Sequence, residues 1–87
     1  MLEMRPGCEC CDRDLPPDAE ALICSFECTF CPDCAAALPG GACPNCGGEL
    51  VERPRRAAAR LDRFPASSER VLNPDCRATL TYEGAAP

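Results

Sequence analysis

The sequence has no histidine, no tryptophan and no lysine, and its aromatic side chains are three phenylalanines and one tyrosine. Without histidine the chain lacks the commonest general base and proton shuttle, which leaves metal-hydrolase chemistry without its usual residues. Without lysine it has no amine side chain to modify, and all nine basic residues are arginine. With abundant alanine and proline, that bias matches GC-rich codon usage better than a functional choice. No stretch approaches the ~18 consecutive apolar residues of a transmembrane helix, so no membrane association is expected. The opening Met1-Leu2-Glu3-Met4-Arg5-Pro6-Gly7 has no apolar core segment and no small-residue cleavage site. The expectation is a cytoplasmic protein with reduced thiols rather than a secreted disulfide framework.

Cysteine is what the chain has in excess. Eight of its ten cysteines form four pairs: Cys8 and Cys11, Cys24 and Cys28, Cys31 and Cys34, Cys43 and Cys46. Two thiolates two or three residues apart can turn back onto one ion, and two such pairs complete the four-sulfur shell that zinc favours. Two Zn2+ ions are therefore expected, with these eight residues as ligands. In 87 residues there is room for one small domain. From Cys8 to Val51 the large apolar side chains are Leu15, Leu22, Ile23, Phe26, Phe30, Leu38, Leu50 and Val51. Their burial alone does not order such a segment, so the chain should fold with metal and lose its structure without it.

Charge is unevenly placed. Residues 1–50 carry nine acids against two arginines, net −7, and residues 51–87 carry five acids against seven arginines, net +2. Two zinc ions on eight thiolates would bring the first half to about −11, a surface unsuited to nucleic acid. The basic segment Arg55 to Phe64 lies between Pro54 and Pro65 and reads as a short helix with Ala57, Leu61 and Phe64 on one face. Ten residues form no stable isolated helix, so it should dock on the acidic module; the alternatives are a contact patch for an acidic partner or RNA through Arg53, Arg55, Arg56, Arg60 and Arg63, and simple disorder. The chain thus divides into a metal module over 1–52, an Arg-rich helix over 53–64 and an extended or partly disordered tail over 65–87. Within that tail Ala78 to Tyr82 is a candidate edge strand, followed by a loose Gly84 to Pro87 terminus.

Ligand pairing decides the topology. In a cross-brace the first and third pairs share one ion and the second and fourth the other; in a sequential arrangement neighbouring pairs share. Only Thr29 and Phe30 separate the second and third pairs, so one ion between them would need a very tight wrap. The intervals of 12, 2 and 8 residues between pairs match the RING finger pattern. The segment from Cys24 to Cys34 resembles the central RING segment, with Cys28 where a histidine commonly stands, and Cys43-Pro44-Asn45-Cys46 resembles its closing knuckle. The fold expected is a small metal-stabilised, RING-like cross-brace with short β-hairpins and a short helix. A zinc ribbon joining the third and fourth pairs, and a rubredoxin-like iron knuckle, are the alternatives. Cys10 and Cys76 are left over; the simplest reading is free thiols, with Cys76 as a buried small apolar residue, or a disulfide between the two under oxidation, as the alternatives.

Residues 1 to about 73 resemble a family of small bacterial Cys-rich proteins classed as a domain of unknown function, number 1272. The segments that carry the resemblance are Met1 to Pro6, Cys8 to Pro17, Ile23 to Cys31, Cys43 to Leu50 and Arg53 to Arg56. The family lends no established activity, so function is argued from the sites. The favoured reading is a non-catalytic zinc-binding module serving as a protein-interaction adaptor or regulator, with Phe26, Leu38 and Pro44 as candidate contacts. The alternatives are a nucleic-acid-associated zinc ribbon and a redox-responsive regulator. A RING-type ubiquitin ligase fits poorly. Such domains present an aliphatic residue in the first metal loop and a basic one after the last ligand, whereas here Glu9 and Cys10 fill the loop and Gly47 follows Cys46.

Overall fold

A computed structural model describes residues 1–79. Its regular structure is sparse: a three-stranded sheet of β1 (Leu22–Ile23), β2 (Thr29–Phe30) and β3 (Val51–Glu52), one helix α1 (Pro32–Ala37), and 3-10 turns at Pro39–Gly41, Ala58–Arg60 and Cys76–Thr79. The strands lie in the order β2-β1-β3, all antiparallel. Leu22 pairs with Phe30 on one side and Glu52 on the other.

Cysteines punctuate this scaffold. The β1–β2 hairpin reverses over Cys24 to Cys28, where the Cys24 amide donates to the Cys28 carbonyl (3.2 Å) and the Glu27 amide to the Cys24 carbonyl (3.0 Å). Helix α1 starts at Cys31, whose sulfur accepts the Cys34 amide as an N-cap; Pro32 fixes the first turn and Asp33 complements its dipole. Six residues cannot hold a helix alone, so burial of Cys34, Ala35 and Ala37 holds this one, and it stops at Leu38 before Pro39.

The core is as much sulfur as hydrocarbon. Phe30, Leu15, Leu38 and Ala21 are buried among Cys8, Cys24, Cys28, Cys31, Cys34 and Cys43, with Leu22 and Leu50 packed at the edge. Two of the module's large apolar residues are outside the core: Phe26 is 70% exposed and Val51 49%. Phe26 stands on the outer side of the β1–β2 reversal, and Val51 on an edge strand.

The Arg-rich helix expected over 53–64 does not form. That stretch holds a single 3-10 turn, Ala58–Arg60, entered through an extended Ala57 (φ −58°, ψ 133°). Of the expected stripe Leu61 is half-buried, while Ala57 and Phe64 are exposed. Arg56 offers the physical reason: its guanidinium donates to the carbonyls of Phe64 (2.6 Å), Pro65 (3.2 Å) and Leu2 (2.6 Å), which closes a loop that a straight helix would keep open. A ten-residue helix also lacks the length to offset its nucleation cost.

Residues 65–73 have no regular structure, yet they are tied to the module. The Ser67 amide donates to the Glu3 carbonyl (2.9 Å) and the Asn73 amide to the Glu9 carbonyl (2.7 Å). Arg70 reaches Asp12 (3.0 Å) and Asp14 (2.9 Å). Ala78 and Thr79, expected to begin an edge strand, lie in a 3-10 turn instead. The rest of that strand and the terminus from Gly84 lie outside the described residues.

Candidate metal centre

The first and last cysteine pairs sit in loops of one design. In the first, the Cys8 amide donates to the Arg13 carbonyl (2.8 Å) and the Asp12 amide to the Cys8 carbonyl (2.9 Å), flanked by a bridge between Gly7 and Asp14. In the last, the Cys43 amide donates to the Gly48 carbonyl (2.9 Å) and the Gly47 amide to the Cys43 carbonyl (2.8 Å), flanked by a bridge between Ala42 and Glu49. The residue four past the leading cysteine is left-handed in both, Asp12 at φ 64° and Gly47 at φ 77°. Glycine adopts that region freely and aspartate more readily than most side chains. The same turn closes the Cys24 loop one residue earlier, at Glu27 (φ 65°).

Each loop aims backbone amides at its leading sulfur. Cys8 Sγ accepts from the amides of Cys10 (3.4 Å) and Cys11 (3.5 Å), Cys24 Sγ from Phe26 (3.3 Å), Cys31 Sγ from Cys34 (3.4 Å) and Cys43 Sγ from Asn45 (3.4 Å). Such bonds favour the thiolate, the form that ligates metal.

The sulfurs gather in two groups. Those of Cys8, Cys11, Cys31 and Cys34 lie within 4.8 Å of one another, as do those of Cys24, Cys28 and Cys43. The third pair therefore stands with the first and not with its neighbours in sequence. Cys11 and Cys31 are 3.8 Å apart, close to the ~3.8 Å edge of a sulfur tetrahedron around an ion with 2.3 Å Zn–S bonds. Cys46 stands outside the 4.8 Å group and is exposed. Both groups could hold a metal ion.

Crowding polarises the thiols. At Cys24 burial works against ionisation, but backbone hydrogen bonds at Phe26 and Cys28 outweigh it and hold the thiol down to about 7. Cys11 is also lowered, with burial offset by a backbone bond at Arg13 and by neighbouring thiols. Burial, reinforced by the Cys31 thiol and the charge of Cys8, raises Cys34; burial likewise raises Cys28 and Cys31 and lifts Cys43 to about 12. A group of thiols this close cannot all ionise without a cation among them. Arg13 supplies part of the balance: the charge of Cys31 and an ion pair with Asp33 (3.2 Å) raise its pKa.

Sequence reasoning missed Glu9, which is 1% exposed. Its Oε2 accepts from Arg5 (2.8 Å) and the Thr29 amide (2.7 Å), and its Oε1 from Asn45 (3.3 Å). One carboxylate thus links the first loop, β2 and the last loop. A charged residue between two cysteines gives no sign in sequence of being buried.

Three further expectations change. Cys10 and Cys76 are not free thiols: they form a disulfide (Sγ–Sγ 2.07 Å), because residues 65–79 return along the first loop. Leu38, a candidate contact, is a core residue at 3% exposure, whereas Phe26 and Pro44 are exposed. Arg53, grouped with a possible nucleic-acid patch, is buried and donates to the carbonyls of Arg5 (3.0 Å), Leu15 (3.3 Å) and Pro16 (3.1 Å). Arg55 and Arg56 are also engaged with backbone carbonyls, so the segment's arginines largely fasten the chain to itself.

The chain belongs to the family described as "Protein of unknown function (DUF1272)", whose model matches residues 1–56. It is 65% identical over 75 residues to "Uncharacterized protein R02474" of Rhizobium meliloti (strain 1021), a match covering 85% of this chain and 89% of that protein. No solved structure matches it. Among the described residues no helix is long and apolar enough to cross a membrane.

Proposed function

We propose that this protein is a non-catalytic, two-zinc module of the cross-brace type that presents a rigid surface to a protein partner. The observation that carries this reading is the grouping of Cys8, Cys11, Cys31 and Cys34 within 4.8 Å, the first pair with the third. The second ion would sit among Cys24, Cys28 and Cys43, with Cys46, the other cysteine of the last pair, completing its shell. A Cβ at Gly48 would stand 3.3 Å from Cys46 Sγ, so glycine leaves that sulfur room. Four protein sulfurs on each ion leave no coordination position for water or substrate, which supports a structural role for the metal.

In this reading residues 1–52 are the module and the following chain straps it. The contact surface is built on Phe26, the most exposed aromatic of the module, together with Pro44 in the last loop. Phe26 lies between two ligands and its amide is bonded to Cys24 Sγ, so metal binding would fix the ring for docking with little entropy left to lose. The burial of Glu9 in the first loop argues against the docking mode of RING-type ubiquitin ligases, which needs an exposed aliphatic residue there.

Native mass spectrometry of reduced protein, with Cys-to-Ser variants at 8, 24, 31 and 43, tests the metal assignment. Two zinc ions are expected, one lost from the Cys8 and Cys31 variants and the other from the Cys24 and Cys43 variants. One ion, lost only from the Cys31 or Cys43 variants, would make the module a ribbon and overturn the reading. For the surface, Phe26→Asp should abolish partner recovery relative to wild type while keeping both ions.

A further inference from the structure

We propose that the Cys10–Cys76 pair is a redox modification site, a latch that a dithiol reductant opens to release the strap of residues 65–79 from the first cysteine loop. The bond closes 66 residues of sequence and is buried, with Cys10 at 2% and Cys76 at 1% exposure. The other eight cysteines are thiols in the same molecule. One cystine among eight thiols marks this pair as chemically distinct from the ligand pairs.

The strap depends on the bond. Its ion pairs from Arg70 to Asp12 and Asp14 are solvent-exposed and weakly stabilising, with Asp14 at 85% side-chain exposure. Its other anchors are the Ser67 amide on the Glu3 carbonyl (2.9 Å), Arg70 on the Asp12 carbonyl (2.7 Å), the Asn73 amide on the Glu9 carbonyl (2.7 Å) and an exposed bond from the Asn73 side chain to Asn45 (2.7 Å), the last two starting three residues before Cys76. Cys10 is held in the first loop, its amide bonded to Cys8 Sγ, and Cys76 opens the 3-10 turn Cys76–Thr79, whose Arg77 and Ala78 are exposed. Local opening of that turn is the route by which a reductant reaches the bond.

The exchange balances as follows. A reductant thiolate attacks Sγ of Cys76, forming a mixed disulfide and expelling the Cys10 thiolate, which takes up a proton. The second reductant thiolate attacks its own sulfur in the mixed disulfide, closing the reductant's disulfide and expelling the Cys76 thiolate, which is also protonated. Two electrons and two protons pass from the dithiol to the cystine.

Release has a local consequence. Arg77, next to Cys76, walls a cavity of about 430 Å³ with Cys11, Arg13 and Asp33. With the strap detached, that wall opens and the half-exposed face of Cys11 gains access to solvent and partners. The latch does not depend on the zinc reading, since it needs only the strap and the loop it covers.

Hydrogen exchange on the full chain as purified, in graded dithiothreitol redox buffers, tests the proposal, with alkylation mass spectrometry reporting each cysteine and native mass spectrometry the metal. Reduction should make Cys10 and Cys76 alkylatable and speed exchange at Ser67 and Asn73 at least tenfold. Cys76→Ser should exchange fast without reductant and ignore its addition. Unchanged exchange over 65–79 after complete reduction of the pair would overturn the latch, as would alkylation of both cysteines in untreated protein. Metal stoichiometry bears on the zinc reading alone, so the two proposals fail separately.

Discussion

Asn45 donates its side-chain amide to the buried carboxylate of Glu9 at 3.3 Å, across 36 positions of sequence. Asn45 belongs to the last cysteine loop and Glu9 to the first, so the bond joins the two sulfur groups directly. The same carboxylate carries Arg5 and the Thr29 amide. Breaking a buried, paired charge is costly because its partner stays charged and desolvated. Glu9→Ala should therefore lose about 3 kcal/mol, and Glu9→Gln, which keeps an acceptor for Thr29, distinctly less. Denaturant unfolding of the metal-loaded protein measures both; equal losses would show that the charge is irrelevant.

Gly47 separates conformational from steric cost. It is left-handed, and a Cβ there would meet nothing within 4 Å, so Gly47→Ala should cost about 1 kcal/mol purely through backbone strain. Gly48→Ala differs, because its Cβ crowds Cys46 Sγ. It should weaken zinc retention at the second group and leave the first untouched, read by chelator competition with a chromogenic dye.

Metal uptake should release protons. Burial raises the thiols of Cys31 and Cys34 in the first group, and of Cys28 and Cys43 in the second, so that unligated they hold their protons at pH 7. An ion must displace them, so affinity rises with pH and is lost as pH falls. Zinc titration in weak buffer should release at least two protons per ion, and chelation at pH 7 should collapse the tertiary structure seen by NMR. Proton release near zero would mean that the thiols are already ionised.

Arg53 and Arg63 predict opposite behaviour from the same residue type. Arg53 is buried on three backbone carbonyls, and Arg53→Ala should destabilise by about 3 kcal/mol. Arg63 is exposed, and Arg63→Ala should change stability by less than about 0.5 kcal/mol. Thermal midpoints of the two variants decide it, and similar midpoints would refute the structural role of Arg53.

Local chemistry made much of the module legible. Spacing within each pair dictates a turn that presents two sulfurs. Leu15, Ile23 and Phe30 are buried as their hydrophobicity requires, whereas Leu38, read as a contact, is buried too. The Arg-rich segment misled because proline boundaries and an apolar repeat are weak helix signals in ten residues. There Arg56 found carbonyl partners that helical geometry would not have offered.

By itself the sequence determined that this chain is a small cysteine-built domain with four turn-forming pairs, since a Cys-x-x-Cys or Cys-x-x-x-Cys loop is a property of a few adjacent residues. The tertiary structure decided which pairs meet, that Glu9 and Arg53 lie inside, and that Cys76 returns to Cys10. Those outcomes depend on contacts between residues 20 to 66 positions apart, where the charge or sulfur of a side chain says what partner it needs but not which one the fold brings within reach.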